Sequence, residues 1–414
     1  MKNLRRVLAL LVAAAMIMAF AGCQREVTAE NLMENVEAEN ASELELDDAF
    51  CKAYSRAAFR MLQNVYSSDG GNVVISPLSV FYHLGVLANG AESGTRTELE
   101  HMFDKEMTVT QINETLHSYV EQLTNNDTAK VYFENALWFN ADKNAQPNSA
   151  FLQNVANYYG ASVYKESFGP DAVTNINNWI YNQTDMDVEY ILDELPEEAP
   201  LCMMSAAVLS ADWASPYSYN NIQDGTFTNA SGTEEKAQLM SAFENRYLQC
   251  DSAVGFVKNY AGSNYAFVAF LPNREDITNF ISLLAGGGQY EKFFKESQKA
   301  VVDATVPKFS CEYKGSALDV VKTLEVGKAF HPDQAQLSGV GQCDGNMYAG
   351  DLCVRTVMSV TEKGTSKGTA ATVANKDVPT SVYVVTLNRP FVYAVIDTRY
   401  HLPVLVGAVN TMNN

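Results

Sequence analysis

Apolar positions recur with a helical period at the start of the folded chain. From Asp47, DDAFCKAYSRAAFRMLQNVYSS sets Phe50, Tyr54, Ala57, Ala58, Met61, Leu62 and Val65 on one face. Asp47 and Asp48 are the capping acids and Asp69-Gly70-Gly71 is the stop. NVVISPLSV (72–80) predicts a short buried strand running into a helix, with Ser76 as N-cap and Pro77 at the first helical position. The helix continues through FYHLGVLANGA, and ESGTRTELEHMF predicts another. VYFENALWFN (131–140) alternates as an aromatic strand, 148–159 reads as a helix, and 171–189 as a long amphipathic one. SAAVLSADW (205–213) predicts a buried strand, followed by a hairpin-rich region and by strands over 247–260 and 265–272. Two short helices between 277 and 299, a strand over 302–313 and a helix over 316–325 come next. RPFVYAVIDT and LPVLVGAV are the closing strands. Helices cluster early and strands late, no repeat appears, and no linker divides the chain after Asp47. The pattern predicts a single large α+β domain over residues 47–412.

One stretch breaks the pattern. VRTVMSVTE (354–362) reads as strand, and SVYVVTL (381–387) reads as strand again. Between them GTSKGTAATVA and NKDVPTS are small and polar, and cannot build a core of their own. Small Thr, Ala, Ser and Gly side chains meet little resistance on a pleated surface, so this segment can slide between other strands. We read it as bait that can be cut and then inserted into a sheet; taken alone, a plain surface loop is the competing reading.

Composition narrows the function. The formal net charge is −20, which argues against nucleic acid and against an electrostatic hold on anionic lipid. Lys2, Arg5 and Arg6 precede an apolar run from Val7 to Phe20, and Phe20-Ala21-Gly22-Cys23 closes it. Residues 1–23 therefore read as an export signal, and the small residues before Cys23 resemble the bacterial lipobox, in which the cysteine is acylated. A secretory signal with an incidental cysteine is the alternative. Two or more acyl chains suffice for stable anchoring. Residues 24–46, rich in Glu, Asn and Ala, read as a flexible tether. The expected location is outside the cytoplasm, on a bacterial outer membrane or cell surface.

The six cysteines after Cys23 show no CxxC spacing; Cys343 and Cys353 are near enough in sequence to pair, and the others read as isolated thiols. The five histidines (His83, His101, His117, His331, His401) are scattered without metal-site spacing, so no metal and no cofactor are expected. Ser162-Val-Tyr-Lys165 and Ser218-Tyr-Asn220 mimic a serine acyl-transferase. The required Lys-Thr/Ser-Gly triplet is missing, and Ser162 sits in a strand where the nucleophile should open a helix. A GxSxG elbow is absent as well.

Seven segments, in order, resemble the serpin family, and the likeness spans roughly Asp47 to Met412. NVVISPLSV resembles the shutter beneath the main sheet, Asn135-Ala-Leu-Trp-Phe its second strand, and Ile176-Asn-Asn-Trp-Ile with Gln183-Thr184 the helix across it. Trp213-Ala-Ser-Pro-Tyr resembles the breach turn, Val306-Pro-Lys-Phe the sixth strand, and Val360-Thr-Glu-Lys-Gly-Thr the proximal hinge. Asn388-Arg-Pro-Phe-Val-Tyr and Val406-Gly-Ala-Val-Asn resemble the closing strands. The resemblance implies a five-stranded central sheet, two further sheets, about nine helices and an exposed reactive-centre loop over 363–386.

It also implies suicide inhibition. A serine or cysteine protease attacks the loop, forms an acyl-enzyme and is dragged along as the loop inserts, while the inhibitor supplies no catalytic residue. Glu362, Lys363, Gly364, Thr365 and Lys367 fall on the hinge, and Asn72, Ser76, Pro77, Ser79, Ser205, Trp213 and Val354 on the shutter and breach. Counting forward from Glu362 lands on Val378–Pro379, a poor bond because proline follows. Val378-Pro-Thr-Ser-Val resembles the antitrypsin pattern and places the cut at Thr380–Ser381, with Lys376–Asp377 second. The expected target is elastase- or subtilisin-like, trypsin-like second, met by a monomer. Two departures stand out. Lys367 occupies a position usually small, so either a bulge turns it outward or the protein is a substrate or binding serpin. Ser205 and Val354 replace the Asn and His of many serpin shutters, which predicts a different but satisfied core.

Overall fold

The computed structural model describes residues 24–39, 41, 44–67, 70–103, 106–124, 129–274, 276–365 and 383–413. The helices are α1 (Asp48–Val65), α2 (Pro77–Ala88), α3 (Ser93–Glu100), α4 (Val109–Thr124), α5 (Ser149–Tyr158), α6 (Pro170–Gln183), α7 (Ile277–Ala285), α8 (Gln289–Lys295) and α9 (Leu318–Lys322). The first strands are β1 (Glu30–Asn31), β2 (Val73–Ile75), β3 (Ala129–Asn140), β4 (Gln146–Pro147), β5 (Ser162–Glu166) and β6 (Leu201–Asp212). Next come β7 (Ile222–Thr228), β8 (Glu234–Gln249), β9 (Ala253–Asn259), β10 (Tyr265–Pro272), β11 (Gln298–Pro307) and β12 (Phe309–Ser316). The last are β13 (Gly341–Gln342), β14 (Ala349–Val360), β15 (Gly364–Thr365), β16 (Tyr383–Thr386), β17 (Phe391–Asp397) and β18 (Leu402–Val409).

Local rules account for the early helices. Asp47 caps α1 by accepting from the Phe50 N–H at 2.6 Å, and the predicted apolar face from Phe50 to Leu62 is buried. Ser76 caps α2, Pro77 occupies its first turn, and every residue of α2 is buried. Such an all-round apolar helix belongs in the middle of a core, and α2 lies under the central sheet. The helix predicted over 171–189 ends earlier, at Gln183. Asp185 and Met186 adopt φ of 51° and 70°, and Asn177 Oδ1 accepts from the Ile191 N–H at 2.8 Å, so the chain folds back toward β6.

The central sheet runs β1-β5-β3-β6-β14-β12, with β15 also paired to β6. It has seven strands rather than the five expected, because two-residue strands join it at the outer edge and at the seam. β6 and β14 are parallel neighbours, and both faces of the sheet are covered, as parallel pairs require. Odd-numbered residues of β6 (Leu201, Met203, Leu209) enter the main core with α2, while even-numbered ones (Cys202, Met204, Ala206) enter a second cluster with Trp138, Ile176 and Trp179 under α6. A nine-stranded sheet ordered β16-β11-β8-β9-β10-β17-β18-β2, with β7 on β8, and a two-stranded β13-β4 ribbon complete one α+β domain.

The segment expected as a flexible tether is a strap laid on this body. β1 pairs antiparallel with β5, Glu30 opposite Lys165 and Asn31 opposite Tyr164. Asn182 of α6 clasps the Arg25 backbone, donating to its carbonyl at 2.7 Å and accepting from its N–H at 2.8 Å. Asn175 accepts from the Thr28 N–H at 3.0 Å, and Asn178 donates to the Glu26 carbonyl at 2.8 Å. Val27 and Ala29 pack on the α6 cluster, and Leu32 and Met33 on the main core. Composition misled here because the partners of a polar strap are asparagines on another element.

Candidate functional site

The hinge is built around the end of β6. Trp213 is buried there; its backbone N–H donates to the Lys363 carbonyl at 2.6 Å and its indole Nε1 to the Thr361 carbonyl at 2.9 Å. The Tyr217 N–H donates to the Glu362 carbonyl at 2.9 Å. Lys308 reaches the Glu362 carboxylate at 2.8 Å, and this charged hydrogen bond holds the Glu362 carboxyl below the usual range. Thr361 closes a turn by donating its N–H to the Gly364 carbonyl at 2.9 Å.

Beyond that turn the chain enters the central sheet. Gly364 and Thr365 form β15, antiparallel to β6, opposite Asp212 and Ala211. A Cβ on Gly364 would lie 2.0 Å from the Ala211 carbonyl oxygen, so only glycine permits this approach. The Thr365 and Tyr260 hydroxyls meet at 2.7 Å, and the Tyr260 ring stacks on Trp213 with centroids 4.5 Å apart. Beneath lies a buried ion pair: Lys258 donates to Glu244 at 2.7 Å and to the Ser215 carbonyl at 2.9 Å. Burial pulls the Lys258 ammonium down and pushes the Glu244 carboxyl up, each opposed by the other's charge. Such a pair adds little net stability but fixes the bed on which Trp213 and Tyr217 rest.

Below the hinge, β6 and β14 lie side by side with Val354 opposite Ser205. Ser205 donates to Asn135 Oδ1 of β3 at 2.8 Å, so the asparagine missing beside it is supplied by the neighbouring strand. α2 also carries a buried histidine: His83 Nδ1 lies 3.0 Å from the Ser79 carbonyl. Its Nε2 lies against the Ala136 and Met204 carbonyls without a bond of normal geometry, and burial lowers its pKa to about 4. Ser79 Oγ, His83 Nε2 and Thr356 Oγ1 are buried without a protein partner, so the satisfied core expected from Ser205 and Val354 is only partly realised.

The structure thus brings Glu362, Lys363, Gly364, Thr365 and Trp213 into one cluster, and Ser205 and Val354 into another over α2. Ser76 and Pro77 start α2, and Ser79 lies one turn before His83. Asn72 stands apart: its Oδ1 accepts from the Asn410 and Thr411 N–H groups at 2.8 and 3.1 Å, tying down the C-terminus. Cys23, Lys367, Lys376, Asp377, Val378, Thr380 and Ser381 lie outside the described residues. Sequence reasoning missed Tyr217, Lys258, Tyr260, Lys308, Asn135 and His83 as parts of the site. Lys308 and Asn135 sat inside segments singled out for other reasons, whereas Lys258 and Tyr260 carried no local signal.

The remaining candidates dissolve. Ser162 and Lys165 lie three apart on β5, on opposite faces of the strand, so they cannot form a catalytic pair. Cys343 and Cys353 are not joined, and all six described cysteines are free thiols. Among the described residues no group of His, Cys, Asp or Glu could hold a metal ion, and no helix is long and apolar enough to cross a membrane.

The chain and its fold resemble known proteins. The family model "Serpin (serine protease inhibitor)" matches residues 52–412. The crystal structure of the thermophilic serpin tengpin in its native state superposes with a TM-score of 0.88 at 32% identity, covering 93% of this chain and all of that one. Tengpin in its latent state gives 0.78 at 31% identity, covering 90% of this chain and all of that one. An uncharacterized serpin-like protein of Methanosarcina acetivorans is 22% identical over 84% of this chain and 83% of its own length. Rat alpha-1-antiproteinase is 22% identical over 83% and 84%. A family match across the whole body and a solved relative of the same fold leave one assignment: the chain belongs to the serpin family.

Proposed function

We propose that this protein is an irreversible suicide inhibitor of serine or cysteine proteases. The observation that carries the reading is β15: the first two residues beyond the Glu362 turn already pair with β6, beside the β6–β14 seam. A protease acylated on the stretch beyond would free it to continue as a strand. Because β6 and β14 are parallel, a strand antiparallel to one is antiparallel to both. Insertion then replaces one parallel ladder by two antiparallel ones, which are the more stable per residue. From Thr365 to Thr380 the path is about 50 Å at ~3.3 Å per residue, far enough to carry the acyl-enzyme to the opposite pole. The protease supplies the nucleophile and the inhibitor supplies the bond, the spring and the track. The closer match to native than to latent tengpin supports a starting state with the seam closed.

Thr380–Ser381 is the preferred bond, with Lys376–Asp377 and Val378 as alternatives; the small residues favour an elastase- or subtilisin-like target and Lys376 a trypsin-like one. The inhibitor acts as a monomer. A substrate or binding role is the second reading, and Lys367 favours it. Carrying the β15 register onward sets Lys367 opposite Leu209, whose side chain faces the main core. An ammonium buried there without a partner is costly.

Export and acylation at Cys23 complete the reading. With Arg25 clasped by Asn182, an acylated Cys23 would hold the body close to a membrane rather than at the end of a long leash. Labelling with an alkynyl fatty acid in a bacterial host tests this: signal that survives Cys23→Ala removes the anchor. The inhibitory reading is tested by mixing the full-length protein with elastase, subtilisin, trypsin and papain. An SDS-stable complex with release of a C-terminal peptide is expected, and the first residue of that peptide names the bond. Clean cleavage with a fully active protease would instead establish the substrate reading.

A further inference from the structure

The nine-stranded sheet carries an exposed apolar row that the hinge and seam do not use. Val384 on β16 is 67% exposed and Phe243 on β8 is 44% exposed. Both are register partners of the same residue, Asp303 on β11, so Phe243, Asp303 and Val384 form one cross-strand row. At ~4.8 Å between strands the row is about 10 Å long. Two residues along, Ser241, Thr305 and Thr386 form a parallel row, with the Ser241 and Thr305 hydroxyls 2.8 Å apart. Asp303 makes no ion pair among the described residues. On the opposite face of the sheet Tyr383 stacks on Tyr247 with centroids 4.0 Å apart, which holds β16 in place. The result is an exposed cross-strand row with apolar ends and a carboxylate at its centre.

We propose that this face is a docking surface for the attacking protease, with Phe243, Asp303 and Val384 as specificity-determining residues. The proposal rests on the inhibitory reading, and chain continuity supplies its occupant. β16 begins at Tyr383, two residues beyond Ser381. A chain spans at most ~3.5 Å per residue, so an enzyme engaged at 380–381 brings its rim within about 10–15 Å of Val384. The fitting partner presents apolar side chains flanking a Lys or Arg that can meet Asp303. Edge contacts of this kind set partner choice and association rate.

Docking can be separated from trapping by using elastase, subtilisin and trypsin whose catalytic serine is changed to alanine. These bind without acylating. Binding of the full-length protein to each is measured by calorimetry or interferometry, alongside Phe243→Ala, the double variant Phe243→Ala/Val384→Ala, and Asp303→Asn. For the protease that binds, the double variant should raise Kd at least tenfold. Asp303→Asn should raise it several-fold and flatten its salt dependence. Unchanged melting temperatures would show that the variants are folded, and Phe243→Ala with Asp303→Asn keeps the test valid if Val384→Ala disturbs β16. Undiminished binding in the variants, or no binding of any inactive enzyme, overturns the proposal. SDS-stable trapping by active protease with unchanged docking would leave the inhibitory reading standing and remove only this surface; docking without trapping would do the reverse.

Discussion

Two buried titratable side chains flank the central sheet and respond to pH in opposite senses. His83 stays neutral until about pH 4, so the unfolded chain takes up a proton near pH 6.5 that the native state refuses. Stability is lost as pH falls through that window, by about 3 kcal/mol at its end. Glu134 on β3, desolvated on the α6 side, titrates at about 7 instead of 4.5. The native state holds its proton longer than the unfolded chain does, so stability is lost as pH rises from about 4.5 to about 7, by a similar amount. The two slopes oppose each other between about pH 4.5 and 6.5, and the wild-type profile should be nearly flat there. Chemical denaturation across this range should show His83→Gln losing stability with rising pH and Glu134→Gln gaining it. Parallel profiles for all three proteins would show that neither group is desolvated as described.

Elements set how readily the seam opens. The strap is bonded to α6 and β5, so if strand insertion parts β6 from β14 the strap would have to be carried along with them or strained. Removing residues 24–39, or replacing Asn175 and Asn182 by Ala at about 1 kcal/mol per lost bond, should speed spontaneous conversion to a heat-stable inserted form. Native gels and melting curves followed over days would detect it. At the other end, Gly364→Ala cannot keep the 2.0 Å approach to the Ala211 carbonyl, so β15 should detach from β6. Inhibition should fall in favour of cleavage without trapping, read as a rise in the molar ratio of inhibitor needed per protease. An unchanged ratio would show that β15 is dispensable.

For the whole molecule, inhibition requires that the described state be less stable than the cleaved one. Adding a long central strand with two ladders should raise the melting temperature by at least about 20 °C after cleavage within 376–381. Lys367→Ala should then increase both the rate of insertion and the fraction of protease trapped, because an inserted strand would no longer have to bury an ammonium. If cleavage leaves the melting temperature unchanged in both forms, the protein is a substrate or binding serpin.

Much of this was written in the chain. The capping acids and apolar faces of α1 and α2, the alternation in β3, the glycine after Glu362 and the small residues beyond it act over a few residues, so sequence alone determined them. Ordered motifs did the same for the family. Only the tertiary structure decided which distant groups meet. Asn135 accepts from Ser205, His83 lies beside the Ala136 and Met204 carbonyls, Lys308 bonds Glu362, and Tyr260 meets Thr365. The polar segment before Asp47 became a strap because asparagines of α6 wait for its backbone. Such contacts join separate elements that chain folding alone brings together, and local pattern carries no information about them.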